Sequence, residues 1–323
     1  MPTIVFLFAG QGCQYYNMGA ELFNTNVYFR HTLLTLDKEV RKMMGASVVE
    51  YIYDRYHGRD DVFDDIRFSN PAVFMIQYAM ARYLQEEMHI RPDCVLGSNL
   101  GETVAAAVSG AVRPVDMLYA LIEQARIIEQ QCCKGGMISI LGNPALYDAT
   151  PLLRDNAALM SVNYEGHFTL SASQGALIAI QAYLDGKGLP YSILPVKYPF
   201  HNLLLDSARD QFLNTLRNVS FSQPAISFFS GVQARQLFSV DAAYCWDAVR
   251  EPIRFTAAVN QLEAGGPCFY VDCSPSGNCN QLLTKILSPS SASTRHMIMN
   301  PFGQELKNLR LLVQQRQALS LYS

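Results

Sequence analysis

Residues 91–101 read RPDCVLGSNLG. Cys94, Val95 and Leu96 form a short apolar run of the kind a buried parallel strand shows. Gly97-Ser98-Asn99-Leu100-Gly101 follows at once, and an apolar helical pattern begins behind it. Strand, sharp turn and helix in that order predict a nucleophile elbow. Its glycines let the backbone pass close to neighbouring chain, and its central residue presents the side chain. A serine is expected at that centre, and Asn99 stands there instead. Asparagine tolerates the positive φ of such a turn. Its amide cannot be deprotonated into a nucleophile as a hydroxyl can. The stretch therefore predicts the scaffold of an acyl-transferring or acyl-hydrolysing enzyme with the attacking atom missing.

Upstream, residues 3–9 are a near-continuous apolar run and read as a first parallel strand. They lead into Gly10-Gln11-Gly12-Cys13-Gln14, too short for a dinucleotide fingerprint. It reads as a tight loop that brings Gln11 to the carboxyl end of the strand. Helical patterns with charged faces fill 31–65. Asn70-Pro71 reads as a helix start, with apolar residues from Ala72 to Leu84 at helical spacing behind it. Downstream of the elbow come helices at 103–110 and 114–133.

Gly135-Gly136 marks a boundary. Strand 137–141, helix 145–154, strands 158–162 and 168–171, helix 175–186 and strand 191–195 then follow. This β-α-β-β-α-β order is that of the ferredoxin-like split βαβ. Afterwards the chain returns to α/β spacing: helix 201–217, strand 225–230, helices 242–250 and 256–264, strand 267–272, and a last helical region. Ser288–Ser293 reads as a surface loop. The expected fold is α/β, a hydrolase-like parallel-sheet domain (1–134 and 202–323) with an inserted ferredoxin-like small domain (135–201).

Half of the 323 residues are hydrophobic and 16% are charged, so the chain reads as globular throughout. A formal net charge of -3 without a basic block argues against nucleic acid as a partner. No apolar run approaches the roughly 18 residues needed to cross a membrane, and no basic segment precedes the apolar start. Eight cysteines with no CxxC pair read as free thiols in a reducing cytoplasm. Cys273 and Cys279 have no neighbouring histidine or second pair, so no metal is expected.

Several ordered stretches resemble the malonyl-CoA:acyl-carrier-protein acyltransferase family, including the acyltransferases of polyketide synthases. GQGCQYYNMG at 10–19 is similar to the family's GQGSQ…GMG opening, and SNPAVFMIQYAMA at 69–81 to its QPALFA-type helix. GSNLGE at 97–102 lines up with GHSLGE, and YPFH at 198–201 falls where the family carries its histidine. WDAVREPIRF at 246–255 and VDCSPSGNCNQLL at 271–283 match later landmarks. The resemblance implies ping-pong chemistry on acyl groups carried by phosphopantetheine, on coenzyme A or a carrier protein. It implies acyl carrier protein as the partner, no bound cofactor, and a cytoplasmic protein. A monomer is expected.

It also implies residue roles. His201 is the general base, and a neutral imidazole can take a hydroxyl proton and return it to a leaving thiol. No acidic residue is its evident orienter, so main-chain carbonyls near Ser230-Gly231 are expected to hold the ring. Gln11 and the backbone N–H of Leu100 form the oxyanion side. Ser98 stands where the family has histidine, and Cys13 where serine is common; as replacement nucleophiles both are disfavoured. Gln124 falls on the arginine that grips the carboxylate of malonyl groups. A neutral amide cannot offset the desolvation of a carboxylate, and Arg126 lies on another helix face. The acyl group is therefore expected to be uncharged. Tyr198 and Phe200 are expected to shape the acyl pocket, Asn163 to face the substrate, His167 to lie on the surface, and Glu102 to favour a helix N-terminus. A family member without that arginine resembles the proofreading acyl hydrolases that clear carrier proteins. An acyltransferase for uncharged groups and a non-catalytic carrier-binding homologue are the alternatives. A natural loss of the serine and a deliberate replacement both fit Asn99, and either leaves this chain without its covalent activity.

Overall fold

The computed structural model describes residues 2–321. Ten strands run along it: β1 (Thr3–Phe8), β2 (Cys94–Gly97), β3 (Gly135–Leu141), β4 (Ala157–Tyr164), β5 (His167–Ser173), β6 (Tyr191–Ile193), β7 (Ser227–Ser230), β8 (Arg235–Leu237), β9 (Cys268–Asp272) and β10 (Thr294–Met297). They form two sheets. The larger has the order β10-β9-β1-β2-β7-β8, parallel throughout except for β8, which folds back on β7. β2 and β9 are buried along their whole length, as helix-covered parallel strands are. β8 had no sequence signal, and β10 follows the Ser288–Ser293 loop within what was expected to be a last helical region. Both are short and polar, RQL and TRHM, and sit at the two edges, where no apolar run is required.

The smaller sheet has the order β4-β5-β3-β6, with every pair antiparallel. This is the ferredoxin-like arrangement. The helix Gln174–Lys187 and the short helices Ala145–Ala149 and Pro151–Asn156 cover one face, burying Ile138, Ile140, Phe168 and Leu170. The single helix expected at 145–154 is split because Pro151 holds Thr150 in an extended conformation. Met137 and Met160 join the main core, so the sheet packs on the larger unit.

Two helices differ from expectation. The helix Ile66–Glu86 starts before Asn70-Pro71, because the Asp65 side chain caps it by accepting from Arg67 N at 3.1 Å. Pro71 lies inside and removes the donor that the Arg67 carbonyl would use. In place of a helix at 201–217 stand a 3₁₀ turn Leu203–Ala208, the helix Arg209–Thr215 and a 3₁₀ turn Leu216–Asn218. His201 precedes them with φ 58°, outside any helix. Among the described residues no helix is long and apolar enough to cross a membrane.

Candidate active site

Ligands of open parallel sheets bind at the carboxyl ends of the strands. Here β1 ends at Phe8 and β2 at Gly97, side by side, and both loops turn into one pocket. The elbow forms because two of its residues lack a side chain. A Cβ on Gly101 would stand 2.0 Å from Phe8 O, and one on Gly97 would stand 2.5 Å from Glu102 Cα. Ser98 N donates to Phe8 O at 2.9 Å and stitches the turn to β1. Asn99 sits at the apex with φ 56° and is 4% exposed.

Leu100 N donates to Asn99 Oδ1. The backbone donor expected to face substrate is thus taken by the neighbouring side chain. An N–H can only donate, so this bond fixes the amide with its oxygen toward Leu100. Asn99 Nδ2 is left buried without a hydrogen-bond partner. Ser98 is partly exposed and does not border the pocket.

His201 is held by main chain. Its N–H donates to Val249 O at 2.9 Å, and Nδ1 donates to Glu251 O at 2.6 Å. A carbonyl only accepts, so Nδ1 carries the proton and Nε2 is a bare acceptor, buried and unpartnered. Burial pushes the imidazole pKa down to about 4, which keeps the ring neutral near pH 7. The expected orienter is corrected here. Gly231 O receives Arg254 N at 2.5 Å, while the carbonyl that holds the ring belongs to Glu251, after the helix Ala242–Arg250.

Gln11 is positioned by the helix Ile66–Glu86. Gln77 brackets Ala9, accepting from its N at 2.8 Å and donating to its O at 2.9 Å. Asn70 Oδ1 accepts from Gln11 Nε2 at 3.3 Å, leaving Gln11 Oε1 buried without a partner. Gln77 was not singled out from sequence, and Asn70 was read only as part of a helix start. Cys13 is fully buried, and burial raises its thiol pKa far above the ordinary range, so it supplies no thiolate.

The pocket between Gln11, Asn99, Leu100, Thr103, Leu121, Gln124, Cys245, Ala248 and Val249 is tight, with a cavity volume of about 10 Å³, room for about one water. No charged side chain borders it among the described residues. Gln124 is 4% exposed and belongs to its wall. Arg126 points away, paired with Glu123 at 2.7 Å. Tyr198 and Phe200 are buried but do not border this space; Tyr198 OH accepts from Lys134 instead. Five of the lining residues come from the helices Pro114–Gln131 and Ala242–Arg250, which the YPFH segment does not reveal.

Asn163 lies on the small sheet, not in this pocket. Its Nδ2 is 3.4 Å from both His167 Nδ1 and Thr169 Oγ1. His167 Nε2 is 2.6 Å from Ser139 Oγ, beside a separate cleft that Lys285 also borders. His167 is half-buried and tied into the sheet, and is not a bare surface histidine.

Glu102 lies in the first turn of the helix Gly101–Val108, as expected. It is also fully enclosed. Its Oε1 accepts from Val232 N at 2.9 Å and Ser230 Oγ at 3.3 Å, and its Oε2 accepts from Tyr244 OH. It ties the helix behind the elbow to the end of β7 and to the helix that carries the pocket wall. A lone acid in the apolar run GETVAAAV was the available signal.

No cluster of three His, Cys, Asp or Glu side chains suited to a metal occurs among the described residues. Cys273 and Cys279 are buried free thiols. An elbow between two parallel strands, a neutral imidazole held by a carbonyl, and an inserted ferredoxin-like sheet together characterise one family. The match to the acyl transferase domain family extends over residues 5–317. The chain belongs to that family. Among acyl transferase relatives, the polyketide biosynthesis acyltransferase homolog PksD of Bacillus subtilis is 42% identical over 306 residues, covering 95% of this chain and 94% of PksD. The homolog BaeD of Bacillus velezensis is 41% identical over 307 residues, with the same shares of 95% and 94%. In fold, a loading acyltransferase from the avermectin modular polyketide synthase superposes with a TM-score of 0.87 at 24% identity, covering 97% of this chain and 99% of the other.

Proposed function

We propose that this chain is an acyl-hydrolase-type member of the acyl transferase family, serving polyketide biosynthesis. It recognises uncharged acyl groups carried as thioesters on the phosphopantetheine of acyl carrier proteins, and Asn99 occupies the place of the nucleophilic serine. The names of PksD and BaeD support the biosynthetic setting. The observation that carries the substrate class is Gln124, a neutral amide in the wall of a pocket that no charged side chain borders. A malonyl carboxylate would lose its water there and gain no guanidinium.

With serine at 99, its Oγ would attack the thioester carbonyl and pass its proton to His201 Nε2. Leu100 N–H, released from the Asn99 carboxamide, would face the oxyanion. Acyl-serine would then be opened by a water that His201 activates, since deacylation reverses the roles of acylation. Gln124 is shorter than arginine and leaves polar room for that water. As it stands the chain forms no acyl-enzyme. The commitment of Leu100 N–H to Asn99 favours, as a second reading, a homologue that binds acyl carriers without covalent turnover.

The test uses the Asn99→Ser variant. One carrier is loaded with labelled butyryl, an unloaded distinguishable carrier is added, and free acid and transferred label are followed together. Free butyrate should dominate. Label mostly on the second carrier would replace the hydrolase reading by an acyltransferase one. Neither product, with carrier binding intact, would leave the binding homologue.

A further inference from the structure

Three buried side-chain atoms lack a protein partner here: Gln11 Oε1 and Asn99 Nδ2 on residues of the pocket wall, and His201 Nε2 on a residue tied to that wall through Val249. Asn99 Nδ2 is a donor, because its own Oδ1 is held by Leu100 N–H. His201 Nε2 is an acceptor, because Nδ1 is held by the Glu251 carbonyl. A buried polar atom left unmatched is costly and calls for an explanation. Val249 joins Asn99 and His201: its carbonyl receives His201 N, and it borders the same pocket as Asn99. A donor in the wall of an uncharged pocket, with an acceptor joined to that wall through Val249, matches the needs of a thioester carbonyl and a water.

Resting on the thioester reading above, we infer that this chain hydrolyses acyl thioesters directly, with Asn99 Nδ2 holding the carbonyl oxygen and His201 Nε2 taking a proton from the attacking water. The water oxygen bonds to the carbonyl carbon as its proton passes to His201. The carbonyl oxygen becomes an oxyanion facing the Asn99 amide N–H. That amide is polarised by Leu100 N–H at its other end, so the backbone donor acts one group further into the pocket. The carbon–sulfur bond then breaks, and the leaving thiolate takes the proton from His201. One water is consumed, and one carboxylic acid and one thiol are released. The low pKa of the buried imidazole keeps it in the accepting form near pH 7. Asn99 in this scheme is a working donor, and the serine of the covalent route is not needed.

Butyryl-pantetheine is the probe, with thiol release and intact mass followed on the native chain and on Asn99→Asp, His201→Ala and Asn99→Ser. The native chain should release butyrate and thiol and show no mass adduct. Asn99→Asp keeps an oxygen for Leu100 N–H but loses the donor, and should be slower by on the order of 10²-fold. His201→Ala should lose a similar factor or more, on the order of 10² to 10⁴. A native chain no faster than both of these variants, beside an active Asn99→Ser, overturns direct hydrolysis and leaves the proposed function standing. A butyryl adduct on the native chain also overturns it. Inactivity of both the native chain and Asn99→Ser overturns the thioester reading as well.

Discussion

Glu102→Gln isolates the energy of the enclosed carboxyl. Burial raises its pKa from 4.5 to about 8, against the opposing hydrogen bonds from Tyr244, Val232, Gly231 and Ser230. Between those two values the folded chain keeps a proton that the unfolded chain has released. Stability therefore falls as pH rises across the window: the contribution is whole below about 4.5 and lost as pH passes about 8. A gap of about 3.5 pH units, at about 1.36 kcal/mol per unit, gives roughly 5 kcal/mol in all. Glutamine keeps an oxygen for Val232 N–H and turns an amide N–H toward the Tyr244 or Ser230 hydroxyl, each of which can accept. It imitates the neutral acid and has no charge to desolvate. The assay is urea unfolding at about pH 5, 7 and 9, read by the fluorescence of Trp246, the single tryptophan. Native and variant should agree near pH 5, and the variant should be more stable by several kcal/mol near pH 9. Asp272, raised by burial to about 6, and Glu305, raised by burial to about 7, titrate in both proteins and cancel in the difference. A difference that does not change with pH would refute the reasoning.

Incubation with butyryl-pantetheine should add one butyryl group to Asn99→Ser by intact mass and none to the native chain; an adduct at Asn99 or Ser98 of the native chain would defeat that expectation. In the Asn99→Ser background, Gln124→Arg should raise the malonyl-to-acetyl rate ratio by about 10- to 100-fold, the range of one charged hydrogen bond of about 1.5–3 kcal/mol; an unmoved ratio would remove Gln124 from the specificity argument. Gly101→Ala should lower the thermal midpoint sharply, at about 3 kcal/mol or more. The added Cβ would lie 2.0 Å from Phe8 O, and a midpoint within about 2 °C of native would show that the elbow has slack.

The parts legible in the sequence were those written in side chains. β1 and β2 are apolar runs ended by glycine turns, and the small sheet alternates so that Ile138, Ile140, Phe168 and Leu170 share one face. Polar edge strands such as β8 and β10 have no such signature. The start of the helix Ile66–Glu86 was misread because Asn70-Pro71 has the form of a cap, while the Asp65 bond and the burial of Ile66 decide the outcome. The Glu251 carbonyl was missed for a plainer reason: every residue has a carbonyl, so only the path of the backbone shows which one reaches His201. Gln77 was hidden likewise, since its polar amide stands at a position of the apolar stripe and grips backbone 68 residues away. Tyr198 and Phe200 were assigned to the pocket, but both are buried and no residue of the YPFH segment borders it.

The strand order also sets a sequence of events during synthesis. β2 lies between β1, near the start of the chain, and β7, which begins at residue 227. A growing chain can pair β1 with β2 early, but the small sheet must emerge before β7 can close the other edge. Contacts between such distant segments form slowly. Until they form, the elbow strand keeps an open edge of the kind that invites association with other chains. Glu102 meanwhile keeps its water and its charge, because Ser230, Val232 and Tyr244 have yet to arrive. Tyr244 comes on the same helix as Cys245, Ala248 and Val249. Neutralising one carboxyl and raising the pocket wall are thus a single late event, and a nascent chain halted before residue 230 has an elbow and no pocket.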